Sequence, residues 1–259
     1  VAGSDRVELI NLVDKERAAT PARANDWQFA QKGGKESVNF AFPFQVPGGQ
    51  LRLDLPIGVI RPEADLMPSA CKNWFTLGRW ADVSGPRHGV QWIALDAPLV
   101  QVGGLTATLL GSQSDPGVWR KSVEPTQRVY SWVMNNHWGT NYRSYQEGPV
   151  VFRFLLRPHR GYDPAANTRA AMESSQPLLA AVRGASGIGS EPLFRVRPDD
   201  VLVTGLKPSR DGRAMVVRLY GASGRDRRAT LRWTVPPAAV HLSDTSEQPL
   251  AAVGRGGVE

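Results

Sequence analysis

The 259-residue sequence is poor in cysteine, in lysine, in helical periodicity and in long apolar runs. One cysteine, Cys71, excludes a disulfide framework and any cysteine-rich zinc site, and it suits a reducing, cytoplasmic setting. No apolar run approaches the ~18 residues a spanning helix needs, and no signal peptide opens the chain, so the reading has no membrane partner. The first residue is Val1 rather than Met, which points to excision from something longer. Only six of 31 basic residues are lysines. The arginines are scattered among acids, as in Arg225-Asp226-Arg227-Arg228, without an RNA-binding or helix-turn-helix signature. A net charge of +7 therefore reads as a generally cationic surface, with no nucleic-acid partner.

Chemical motifs are also scarce. The four histidines, His88, His137, His159 and His241, form no His-x-x-x-His, His-Glu-x-x-His or His-x-Asp pattern. A zinc site needs three or four converging ligands, and the nearest approach is His241 with Asp244 in a loop near the end of the chain. There is no Gly-x-Ser-x-Gly elbow and no phosphate loop. Cys71 reads as a small buried hydrophobe. Twenty-four acids could contain a glycosidase pair, but no spacing nominates one.

What the chain does have is turns and short strands: 26 Gly and 20 Pro punctuate alternating segments. Strands are predicted at 7–13, 36–44, 51–55, 89–95, 98–102, 106–110, 130–134 and 150–157. In the last, Phe152, Phe154 and Leu156 share one face and Arg153 and Arg157 the other. Pro47-Gly48-Gly49 is a hairpin-turn candidate between the second and third strands. A short helix is expected at 164–174, stopped by Pro177. A second set is predicted at 193–197, 201–206, 214–220, 229–234 and 240–242, with Asp211-Gly212 and Ser223-Gly224 as turns. This spacing means antiparallel sheets, most simply a sandwich. The division expected is a large sandwich over 1–182, a Gly/Ser-rich link over 183–190 and a small sandwich over 191–259.

The run Ser131 to Arg143 concentrates three asparagines, two tryptophans, a tyrosine and an arginine. Indoles cover the C–H face of a pyranose and amides fork onto vicinal hydroxyls, so this mixture suits a sugar. The same residues also suit a core tryptophan followed by an Asn-rich turn, and composition leaves both readings open.

The run Asn135-Asn136-His137-Trp138-Gly139-Thr140-Asn141-Tyr142, then Gln146-Glu147-Gly148 and the strand ending Arg157-Pro158-His159, resembles a signature of the C-terminal region of bacterial-type glycoside hydrolase family 38 α-mannosidases. Lys35-Glu36-Ser37 with Phe40-Ala41-Phe42-Pro43-Phe44, Asp96-Ala97-Pro98-Leu99-Val100 with Gly103-Gly104, and Lys207-Pro208 with Asp211-Gly212 and Arg218-Leu219-Tyr220 resemble further segments in the family's order. Gly139 stands where relatives often have His, Gly221 where they often have Asn, and 161–190 diverges.

The resemblance implies an all-β fold, a large antiparallel sandwich of the galactose-mutarotase-like supersandwich type followed by a smaller one. It implies a non-catalytic portion of a retaining α-mannosidase, inert alone. Its expected partners are a catalytic β/α-barrel domain of the same protein, which would carry the zinc and the nucleophile, and an α-mannoside. Catalytic residues, metal ligands and cofactors in this chain are expected to be none. Asn136, Trp138, Thr140, Asn141, Tyr142 and Gln146 are the residues expected to line or buttress the cleft. The competing reading is a stand-alone carbohydrate-binding sandwich with no enzyme partner.

Overall fold

A computed structural model describes residues 5–17, 36–56, 58–107, 117, 119–135, 146–176, 178–179 and 191–253. The chain divides into two compact units, residues 1–162 and 163–259.

The first unit is a β-sandwich. Its six-stranded sheet has the order β1 (Val7–Lys15), β10 (Gly148–His159), β7 (Gly89–Ala94), β6 (Trp80–Ser84), β3 (Gln50–Leu55) and β4 (Gly58–Ile60). Its four-stranded sheet has the order β2 (Ser37–Pro43), β9 (Arg128–Asn135), β8 (Leu99–Val102) and β5 (Phe75–Thr76). Every pairing is antiparallel.

Alternation explains which face packs. Phe40 and Phe42 of β2, with Phe44 just beyond it, meet Phe152 and Phe154 of β10 and Trp92 of β7 across the interior. Ring centroids lie 5.0 Å apart for Phe42–Phe154, 5.1 Å for Phe42–Trp92 and 5.6 Å for Phe40–Phe154. Leu51, Leu53, Val83, Val100, Val102 and Val129 fill the remainder at close to zero exposure. Each large buried ring or aliphatic chain contributes about 2 kcal/mol of transfer free energy.

Two expectations need correction. The turn at 47–49 closes no hairpin: β2 pairs with β9 and β3 with β6, so this turn carries the chain from one sheet to the other. It is held by Gln127, whose Oε1 accepts from Val46 N at 2.7 Å and whose Nε2 donates to Val46 O at 2.9 Å and Gly49 O at 3.0 Å. The strand predicted at 106–110 is absent over its described part. Thr106 N and Ala107 N donate instead to Gln101 Oε1, 2.6 Å each, and 108–110 lie outside the described residues. Among strands not predicted, β6 is buried at all five residues, its polar Asp82 and Ser84 included.

The second unit holds three two-stranded ribbons: β11 (Phe194–Arg197) with β14 (Thr230–Trp233), β12 (Val201–Pro208) with β13 (Met215–Gly221), and β15 (His241–Ser243) with β16 (Pro249–Ala252). Helix α1 (Pro164–Ser175) also belongs here. Asp163 caps it, its carboxylate accepting from Ala165 N and Ala166 N, and Pro164 starts it where no N–H is required. Ala165 packs with Leu202 and Ala222, flanked by Met172 and Tyr220. The helix thus groups with the second unit, whereas the sequence reading set it within the first sandwich. The link expected at 183–190 lies outside the described residues.

Candidate functional site

The run singled out by its sugar-binding composition begins on β9 and re-enters structure at β10. Asn135 ends β9 opposite Ser37, the first residue of β2. Gly148 opens β10 opposite Lys15, the last residue of β1. The flanking residues Asn135 and Gly148 thus belong to different sheets, and a Lys15–Glu36 ion pair joins β1 to the residue ahead of β2. Gly148 has φ +92°, a conformation that side-chain-bearing residues rarely adopt, so a glycine turns the chain into β10. Gln146 is exposed beside it. Asn136, Trp138, Thr140, Asn141 and Tyr142 lie outside the described residues, as does His137.

The outer face of the four-stranded sheet carries an aromatic cluster that sequence reasoning did not assemble. Trp132 of β9 is almost fully buried and meets Trp74 edge-on at 6.0 Å. Trp74 in turn meets Trp119 at 6.3 Å with the planes inclined by 38°. Buried amides pin the surrounding loops. Asn73 Nδ2 donates to Thr106 O (2.6 Å) while Asn73 Oδ1 accepts from Arg120 N (3.1 Å). Gln101 Nε2 donates to Asn39 Oδ1 at 2.9 Å. The tryptophans are 45 and 13 residues apart in sequence, and only strand pairing brings them together.

A second polar group sits on the outer face of the six-stranded sheet. His159 Nε2 lies 2.6 Å from Asp82 Oδ2, and Nδ1 lies 2.6 Å from Gly161 O. A carboxylate and a carbonyl are both acceptors, so the ring can donate to both at once only when it is doubly protonated. The Asp82 hydrogen bond, opposed by burial, raises the His159 pKa. Ser84 Oγ donates to Asp82 Oδ1 at 2.5 Å and receives from Arg52 Nη1 at 3.2 Å. Arg52 in turn lies 4.1 Å above the Tyr162 ring. Serine, aspartate and histidine are thus together but in the wrong order for nucleophilic catalysis. The serine proton points at aspartate rather than at an imidazole nitrogen, so no base activates the hydroxyl. The cluster is a buttress, not an active site.

Zinc has no fitting set of donors here: among the described residues no three His, Cys, Asp or Glu side chains come together. His88 and His241 are exposed, and Cys71 is half-buried near Trp74 O. Among the described residues no helix is long and apolar enough to cross a membrane. An apolar strip is bare on the outer face of β1 and β10, where Ile10 (65% exposed) and Leu12 (68%) stand beside Val151 (46%).

These features define an all-β protein class: packed antiparallel sheets with an aromatic cluster on one outer face and no assembled catalytic centre among the described residues. Residues 200–257 match the family described as glycosyl hydrolases family 38 C-terminal beta sandwich domain. No curated protein matches it. Among solved structures, a protein in glycosyl hydrolase family 38 from Enterococcus faecalis is similar with TM-score 0.64 and 15% identity, over 98% of this chain and 27% of that one. An alpha-mannosidase from Enterococcus faecalis V583 is similar with TM-score 0.66 and 14% identity, over 98% and 26%. The chain spans about a quarter of the length of either.

Proposed function

We propose that this chain is the non-catalytic C-terminal portion of an α-mannosidase, which braces a catalytic β/α barrel and completes one wall of its sugar cleft. The supporting observation is the family 38 match over 200–257 on a chain whose fold follows these larger enzymes over 98% of its length. In this reading the loop 136–147 supplies the cleft residues Asn136, Trp138, Thr140, Asn141, Tyr142 and Gln146. The segment joins the end of β9 to the start of β10, and binding residues are often carried on such connections between rigid strands. Zinc and the nucleophile belong to the barrel, and no step of the hydrolysis is assigned to residues of this chain.

Two measurements test the reading. This chain alone, with zinc, is expected to release no nitrophenol from 4-nitrophenyl α-mannoside; zinc-dependent turnover overturns its non-catalytic role. The reading frame upstream of Val1 is expected to encode a barrel with a His-x-Asp motif after its first strand. A frame without one removes the mannosidase reading.

A further inference from the structure

We propose that Trp74 and Trp119 form a carbohydrate-binding platform on the outer face of the four-stranded sheet. The choice of an α-mannosyl sugar as ligand rests on the reading above; the platform itself rests on geometry.

The outer face of a sandwich sheet ordinarily presents polar residues to water. Here β9 places Trp132 outward, opposite Asn39, and its indole meets Trp74 and, through it, Trp119. Trp132 is sealed at 2% exposure, while Trp74 and Trp119 keep part of their surface in water. The inclination of 38° between the two half-buried indoles makes a shallow trough rather than a flat stack.

The trough is held before any ligand arrives. Asn73 (3% exposed) ties the segment carrying Trp74 to Thr106 and to Arg120, next to Trp119. Thr106 Oγ1 returns a bond to Asn73 O at 2.6 Å, and Arg120 Nη1 donates to Val102 O at 2.9 Å. Gln101 (2% exposed) anchors the same loop through Thr106 N and Ala107 N. These amides spend their hydrogen bonds on scaffolding, so the platform offers ring faces that are already ordered and need no entropy to arrange. Rigid indole faces suit the apolar C–H face of a pyranose.

The test uses the intact chain and mannobiose. Titration calorimetry should show saturable binding that Trp119→Ala weakens by roughly tenfold or more and Trp119→Phe by less, since a smaller ring keeps part of the stacking face. In parallel, the indole N–H resonances of the eight tryptophans, assigned by single Trp→Phe variants, are followed during the titration. Movement confined to Trp74 and Trp119 supports the platform, and this readout stands even where Trp119→Ala fails to fold. Absent binding, or movement centred on Trp138, overturns it and leaves the tryptophan trio as a clasp for the loops. Neither result touches the family assignment, which the upstream reading frame and the hydrolysis assay decide.

Discussion

Asp54 of β3 is 7% exposed, and burial pushes its pKa up to about 6, against partial relief from the Arg79 backbone N–H and charge. The folded chain therefore holds a proton that the unfolded chain releases above pH 3.8. The folded form is favoured most below that value, loses ground as pH rises to about 6, and carries a constant cost of about 3 kcal/mol beyond it. Asp54→Asn should accordingly raise the melting temperature at pH 7.5 and change it little at pH 4; equal effects at both would contradict a buried carboxylate as the cause. His159 has the same slope. Its raised pKa means the Asp82 pair contributes fully below pH 6.5 and fades as pH climbs through the folded value. The loss on His159→Gln should be larger at pH 6 than at pH 9 in denaturant titrations. The surface pair Asp96–Arg153 acts oppositely: its lowered aspartate pKa gives stability above pH 3.8 that disappears in acid.

At the level of elements, close approach sets what the sheets tolerate. A Cβ on Gly89 would sit 2.5 Å from Ser84 Cβ and 2.7 Å from His159 Cε1. Gly89→Ala should cost about 1–3 kcal/mol by crowding the β6–β7 turn and the buttress together. Gln127→Ala should cost about 2 kcal/mol, because Val46 N, Val46 O and Gly49 O lose their partners at once. Chemical denaturation checks both. β2, β3 and β10 were legible because an apolar face alternates with a more polar one. β6 was not, although Ala81 and Val83 alternate with Asp82 and Ser84, because it is only five residues long and its polar side chains, Asp82 and Ser84, are buried beside His159. Pro47-Gly48-Gly49 announced a turn correctly, but turn chemistry does not say whether the next strand joins the same sheet. The sugar-like composition of 131–143 was visible as a string, whereas the Trp74–Trp119 platform needed β5, β8 and β9 side by side before it existed.

For the whole molecule, the strip at Ile10, Leu12 and Val151 stands exposed on edge strand β1 and its neighbour β10. Exposed apolar side chains on an edge strand invite association. Leu12→Lys should lower the concentration-dependent rise in sedimentation coefficient of the isolated chain; an unchanged profile would mean that this edge does not govern self-association. Overall β architecture and family resemblance were readable because they are written in ordered, lengthy motifs. The grouping of α1 with the second unit was not, since it depends on Ala165 meeting Leu202 and Ala222 rather than on anything local to the helix.

The pairing of β1 with β10 joins residues as far apart as Asn11 and Phe152, 141 positions along the chain. On the ribosome β1 must therefore wait for most of the sandwich to be translated before its partner emerges. Slow long-range closure of this kind exposes an alternating segment, Val7–Lys15, to other nascent chains throughout. Production yield should then depend on translation speed and holdase supply more than on the equilibrium stability of the finished protein.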